Sequence, residues 1–140
     1  KTNGDEKMEI GGRNIQFGLV ILTLAGLFSF YLGFTIPAHL SDGIYEMNLG
    51  RVTLRAGHTH GMLIGLCNVV VGILLSVQPF SSKSKQIASW LCVSAVLLPI
   101  GLILRGLTNG AMTFAPVAVL GGCGLLGTFI TLLVGYRKAA

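Results

Sequence analysis

Residues Gly57–Val77 read GHTHGMLIGLCNVVVGILLSV, a continuous apolar run without a lysine, an arginine or a carboxylate. A transmembrane helix needs about 20 mostly apolar residues, so this run is long enough to cross a bilayer. Its apolar residues do not alternate with polar ones, which favours a helix over a strand of a membrane barrel. The stretch therefore predicts a helix inside a membrane.

Three further runs have the same character, and the composition agrees with them. The chain is 52% apolar and 11% charged, whereas soluble domains carry about 25% charged residues. Its mean hydropathy is +0.76. We expect an all-α, polytopic membrane protein, a four-transmembrane-helix up-down bundle. The predicted segments are a polar N-terminal leader, 1–14, and a transmembrane domain, 15–140, with helices at about 15–38, 57–77, 86–104 and 112–136.

The basic residues predict how the helices are oriented. Arg51, Arg55 and Arg105 lie at one end of the predicted helices. The larger group lies at the other end and comprises Lys1, Lys7, Arg13, Lys83, Lys85, Arg137 and Lys138. Because cytoplasmic segments carry the excess of lysine and arginine, we expect both termini on the cytoplasmic side of a cell inner or plasma membrane. The net charge of +5 then reflects topology, and no nucleic-acid partner is predicted.

All three histidines fall at one predicted membrane boundary, on the extracytoplasmic side. His39 follows the first apolar run, and His58 and His60 open the second one. Imidazole binds metals and haem and titrates near neutral pH. Ionisable groups at membrane depth are costly and usually functional. The connection between them, His39–Ala56, is long enough to be functional, although a loop that only covers the helix ends is an equal alternative.

Small residues line one side of the second helix beside His58. At about 100° per residue they fall within an arc of about 80°. The arc comprises Gly57, Gly61, Gly65, Asn68 and Gly72. Such a stripe predicts close helix packing, and it also offers room for a flat macrocycle next to His58. Shorter stripes are Gly26, Ser29 and Gly33 on helix one, and Ala111, Ala115, Ala118 and Gly122 on helix four.

The first interpretation of this end of the bundle is a b-type haem. Haem takes axial histidines, and its propionates favour arginine partners. His58 is the first ligand in this interpretation, with His39 or His60 as the second, although His60 projects about 160° away from His58 on a helix. The candidate cofactor-binding residues are His58, His39, His60, Arg55, Arg105 and Asn68.

Two other interpretations remain open. A copper or zinc site is the first of them, built from His39 with His58 or His60 and completed by Asp42 or Glu46. The other has no cofactor, and the chain is then an accessory or structural subunit of a larger membrane enzyme complex. A quinone or lipid pocket near these histidines is equally compatible with the sequence. No P-loop, catalytic triad or intramembrane carboxylate is present, so an electron-transfer or accessory role is favoured over catalysis.

The segment Arg55-Ala-Gly-His58-Thr-His60-Gly61 resembles the start of helix two in the haem–copper oxidase subunit I superfamily. It is still more similar to short four-helix membrane proteins related to that subunit. The resemblance implies that His58, at the Arg-x-x-His position, is a low-spin haem ligand. No histidine follows His60, so the resemblance implies neither the copper ligands nor an oxygen-reducing binuclear centre.

We therefore predict an integral membrane protein that binds haem b and acts in electron transfer or in redox or gas sensing near the outer face. Such a thin bundle is expected to form a homo-oligomer or to belong to a membrane protein complex. Cys67, Cys92 and Cys123 all fall inside predicted helices, at spacings that do not form a disulfide framework. We expect them to be packing residues.

Overall fold

The structure, a computed structural model, describes residues 3–35 and 49–139, and the side chains of 9–35 and 49–138. These residues form helices almost throughout, and no strand occurs among them. The helices are α1 (Asn3–Phe34), α2 (Leu49–Val77), α3 (Ser82–Ser94), α4 (Leu97–Leu107) and α5 (Ala115–Ala139), with a short 3-10 helix at Met112–Phe114. The prediction of an all-helical chain with four spans long and apolar enough to cross a membrane is confirmed.

Successive spans run antiparallel and approach closely at small residues. On α1, Gly18 lies against the backbone of Gly65, and Gly11 lies against Gly72. The third span, formed by α3 and α4, packs on α2, and α5 packs on both α3 and α4. α1 and α5 thus flank the bundle, and their outward faces carry exposed apolar side chains such as Phe34. Such faces suit a lipid environment.

The small-residue stripe predicted on the second helix is used for packing, and so is Ala118 of the stripe predicted on helix four, which is buried against Gly101. A Cβ atom added at Gly26 or Gly33 of α1, or at Gly122 of α5, would meet no atom within 4 Å. On α1 it is the side of Gly11 and Gly18 that faces α2 instead. The extension of small-residue packing to those positions was wrong.

A proline and an asparagine shape the break between α3 and α4. Pro99 has no N–H group to donate to the carbonyl four residues before it, so the regular series of α-helical hydrogen bonds is interrupted here. The N–H of Val96 donates to the carbonyl of Val93 at 3.2 Å, as in a tighter 3-10 turn. The side chain of Asn68, on α2, then donates to the carbonyl of Cys92 at 3.1 Å. The α-helical hydrogen bonding of the third span is thus interrupted about one turn before Pro99.

Two element boundaries differ from the prediction. α2 begins at Leu49, so the second half of the predicted loop His39–Ala56 is helical. α1 begins at Asn3, so much of the polar leader continues into the first span. Pro116 lies in the first turn of α5, where a missing N–H has no helical partner. The early start of α2 places His58 well inside the helix.

Candidate ligand site around His58

His58 has a buried ring nitrogen without a hydrogen-bond partner among the described residues. At about 1.5 Å per residue, it lies about 13 Å along α2 from Leu49. Its imidazole is half-buried, and its ring centroid lies 6.4 Å from that of Phe28 on α1. The Nε atoms of three arginines are also buried without a partner, but each of those guanidinium groups bonds through another nitrogen. His58 makes no such second bond within the described residues, so we consider its imidazole as a ligand-binding group.

One side of His58 borders an apolar groove between α1 and α4. Its volume is about 290 Å³, and α2 contributes Gly57, His58 and Gly61 to it. The two walls are formed mainly by Ile21, Leu24 and Phe28 of α1 and by Pro99, Ile100 and Ile103 of α4. His58 is the single polar side chain of the lining. The groove therefore suits an apolar molecule that presents one polar atom to an imidazole.

His58 also borders a second, more polar pocket of about 390 Å³. The lining of that pocket comprises Ser29, Leu32, Gly33, Arg51, Arg55, His58 and Thr59. The two pockets share His58. A molecule bound to this imidazole would therefore have apolar walls on one side, and guanidinium and hydroxyl groups on the other. This arrangement matches an amphipathic ligand with an acidic or carbonyl group.

The two arginines of the polar pocket have different roles. Arg51 is buried, and its guanidinium donates to the carbonyl of Leu32 and the hydroxyl of Thr35 at the carboxyl end of α1. It therefore donates to a carbonyl in the last turn of α1, which also accepts from the hydroxyl of Thr35 at 3.2 Å. Arg55 is exposed at the same pocket. Of the two, Arg55 is the one placed to meet an anionic group of a ligand.

Two other predicted site residues lie away from both pockets. Arg105 donates to the carbonyl of Gly110 at 3.5 Å and contacts the sulfur of Met112 at 3.3 Å, in the turn after α4. The Nδ1 of His60 forms a hydrogen bond with the carbonyl of Ala56 at 2.8 Å, one turn earlier on α2. Neither side chain lines a pocket with His58. His39, the third predicted ligand, lies outside the described residues.

Asn68 belongs to a buried polar cluster that the sequence reasoning missed. It lies about 15 Å along α2 from His58. Its Oδ1 accepts from the side chain of Asn14 at 3.0 Å, and its Nδ2 donates to Cys92 as described above. The hydroxyl of Ser89 donates to Asn14 Oδ1. These contacts join α1, α2 and α3. The signal was present as polar residues inside otherwise apolar runs, but only the packing shows that they meet.

The metal interpretation rests mainly on residues that the structure does not describe. Within residues 3–35 and 49–139, no group of three histidine, cysteine or acidic side chains is placed to hold a metal ion. His39, Asp42 and Glu46 lie outside these ranges. Copper or zinc binding therefore stays a prediction. Cys67, Cys92 and Cys123 are free thiols.

The glycine face beside His58 has no room for a macrocycle. A Cβ atom added at Gly65 would lie 2.8 Å from Leu22, and one added at Gly57 would lie 2.6 Å from Ile103. α1 and α4 therefore already fill that face. The room near the imidazole lies instead in the apolar groove and in the polar pocket.

Comparisons with protein-family models, with curated proteins and with solved structures give no match. The resemblance of the segment from Arg55 to Gly61 to haem–copper oxidase subunit I therefore stays a prediction.

Proposed function

We propose that this protein is an integral membrane protein that binds b-type haem through His58, in electron transfer or in redox or gas sensing. The observation that supports this proposal is the buried Nδ1 of His58, which makes no hydrogen bond within the described residues. It lies between an apolar groove and a pocket that contains Arg55. Bound haem would supply a one-electron redox couple and an iron centre for small gases.

Each part of the site has a distinct task in this proposal. His58 would bind the iron, and Phe28 and the α4 wall would keep water from it. Arg55 would pair with the propionates, since Arg51 is already committed to α1. Because His60 lines neither of the pockets beside His58, the second axial position is left to His39, to a histidine of another subunit, or to a small gas. A site with one histidine ligand could bind a gas and therefore favours sensing. A site with two histidine ligands favours electron transfer.

The proposed location is an inner or plasma membrane, with the His58 end on the extracytoplasmic side. Arg13, Lys83 and Lys85 lie near the opposite end of the bundle, as do Arg137 and Lys138 in the last turn of α5. The positive-inside rule places that end in the cytoplasm. The outward faces of α1 and α5 remain available to lipid, to a second copy or to a partner subunit.

The deciding experiment is an absorption spectrum of the detergent-purified protein, oxidised and dithionite-reduced, with metal analysis of the same sample. We expect a Soret band that His58→Ala abolishes while the helical circular dichroism is unchanged. His60→Ala is the matched control, because it removes an imidazole two residues away that lies outside both pockets, and it should keep the band. Full haem content in His58→Ala would overturn the ligand assignment. Carbon monoxide binding to the reduced protein would separate one-histidine from two-histidine ligation.

A membrane quinone is the second candidate ligand of the same site. The groove, at about 290 Å³, lies at the lower end of small-molecule pockets, which span about 300–1,000 Å³, and it has one imidazole in an otherwise apolar lining. An imidazole can donate to or accept from a quinone oxygen. A colourless protein from which solvent extracts a quinone, in wild type but not in His58→Ala, would favour this candidate. A colourless protein without quinone that co-purifies with a large partner would indicate an accessory subunit.

A further inference from the structure

A guanidinium and an exposed indole lie together where α1 meets α3, at the end of the bundle opposite His58. Arg13 donates to the hydroxyl of Ser89 at 2.6 Å, and its Cζ lies 4.2 Å from the centroid of the Trp90 ring. These contacts hold the guanidinium against α3. The bond to Ser89 occupies one of the five N–H groups of the guanidinium. The indole of Trp90 is 59% exposed.

A lysine shares this surface of α3. Lys83 precedes Trp90 by about two helical turns, so both lie on the same face, about 10 Å apart along the axis. The third span begins at Ser82, which places Lys83 at its end and Trp90 deeper inside. Lys83 is exposed. Tryptophan and the long basic side chains are the residues that occupy the boundary between lipid and water.

Basic residues outnumber carboxylates at this end of the bundle. By sequence, its first and third spans and the residues before them carry the three carboxylates Asp5, Glu6 and Glu9 against five basic residues, Lys1, Lys7, Arg13, Lys83 and Lys85. Arg137 and Lys138 add further positive charge at the cytoplasmic end of the proposed topology. The cytoplasmic leaflet is the one that carries anionic lipids, and it attracts basic residues near its surface.

We propose that Arg13, Lys83 and Trp90 bind the phosphate headgroup of an anionic glycerophospholipid. The two cations meet the phosphate, and the indole packs against the glycerol and the first methylenes of the acyl chains. The site rests on the membrane insertion of the helices, and it is independent of haem binding at His58. A haem-free protein would therefore still bind the lipid.

The test measures binding of phosphatidylglycerol to the full chain in a neutral detergent. Native mass spectrometry counts the lipids retained, and the shift in unfolding temperature gives the affinity. We expect phosphatidylglycerol to bind and phosphatidylcholine not to, and Lys83→Gln to weaken binding about fivefold. Lys138→Gln is the matched control, because it removes the same charge from the same end outside the site. Since Lys83 is exposed, its variant folds even if Arg13→Gln does not.

Three results would overturn the proposal. Equal loss of binding in Lys83→Gln and Lys138→Gln would show general attraction to the charged end. Equal binding of phosphatidylcholine would remove the role of the headgroup charge. A stabilisation by inorganic phosphate equal to that by the lipid would replace the lipid with a free anion.

Discussion

The polar cluster of Asn14, Asn68 and Ser89 and the imidazole of His58 differ in how their buried polar atoms are paired. In the cluster of Asn14, Asn68 and Ser89, side-chain amides and a hydroxyl bond to one another and to a backbone carbonyl across three helices. In contrast, the Nδ1 of His58 is buried and has no such bond in the described part of the chain. A buried polar group without a partner disfavours folding by about 1–3 kcal/mol. The cluster therefore stabilises the fold, whereas His58 is better explained by a ligand.

The largest stability effect is expected from Asn68→Leu. It removes the bond to Asn14 and the donor that reaches Cys92, so we expect a loss of about 2 kcal/mol in the free energy of unfolding. Unfolding in detergent, followed by circular dichroism, gives this quantity. Thr128→Val is the control, because Thr128 is buried but bonds only within its own helix, at 2.9 Å to Gly124. Equal losses in the two variants would show that the bonds between helices stabilise the fold no more than a bond within one helix.

A smaller loss is expected from Arg51→Met. This change removes a donor to the carbonyl of Leu32 at the end of α1, at a cost of about 1–2 kcal/mol. The paired variant, Arg55→Met, should stay within about 0.5 kcal/mol of wild type, because Arg55 is exposed. The amount of bound haem or quinone should rank the two variants in the opposite order. Arg55→Met should lose more of the ligand than Arg51→Met, although it loses less stability. A large stability loss in Arg55→Met would assign it a structural role as well.

The third prediction compares two glycines of one helix face. A Cβ atom at Gly65 would lie 2.8 Å from Leu22 and 3.1 Å from the carbonyl of Gly18, so Gly65→Ala should lower the free energy of unfolding by about 1 kcal/mol. At Gly61 the nearest atom would be the Cβ of Ala25 at 3.5 Å, an ordinary contact. Gly61→Ala should keep the stability and narrow the groove, which a ligand titration of both variants would show. Unchanged ligand affinity in Gly61→Ala would place the ligand elsewhere.

No loss of stability is expected from His58→Leu. Because its buried nitrogen makes no bond to the described chain, an apolar replacement of similar size removes an unpaired polar atom and should raise the free energy of unfolding of the ligand-free protein, by about 1 kcal/mol. The same variant should lose the ligand. A stability loss as large as that of Asn68→Leu would instead make His58 a structural residue, with a partner in the segment that the structure does not describe.

The four spans could be predicted because hydropathy depends on composition along the chain alone. The start of α2 could not, because Arg51 and Arg55 interrupt the apolar pattern while the helix continues through them. The buried guanidinium of Arg51 is accommodated in the helix because it donates to the carbonyl of Leu32 at the end of α1. A helix boundary in this region is therefore decided by a tertiary contact.

The candidate site was predictable only in part, because some of its residues are close in sequence whereas others meet only through packing. His58 and Arg55 lie close together in sequence, and the structure places both at one pocket. The apolar groove depends on residues of α1 and α4 that come together only through packing, such as Phe28 and Pro99. The rotation of each helix about its axis decides these contacts, and hydropathy carries little information on it.

Two basic side chains donate to carbonyls at helix ends, and this has a consequence for the synthesis of the chain. The end of α1 receives the guanidinium of Arg51, and a carbonyl in the last turn of α2, that of Leu75, receives the ammonium of Lys85. In both cases the donor belongs to the helix that follows in the chain. During synthesis, each helix end therefore gains its donor only after the first turns of the next helix have emerged from the ribosome. A pair of helices is the smallest segment in which such an end has its donor.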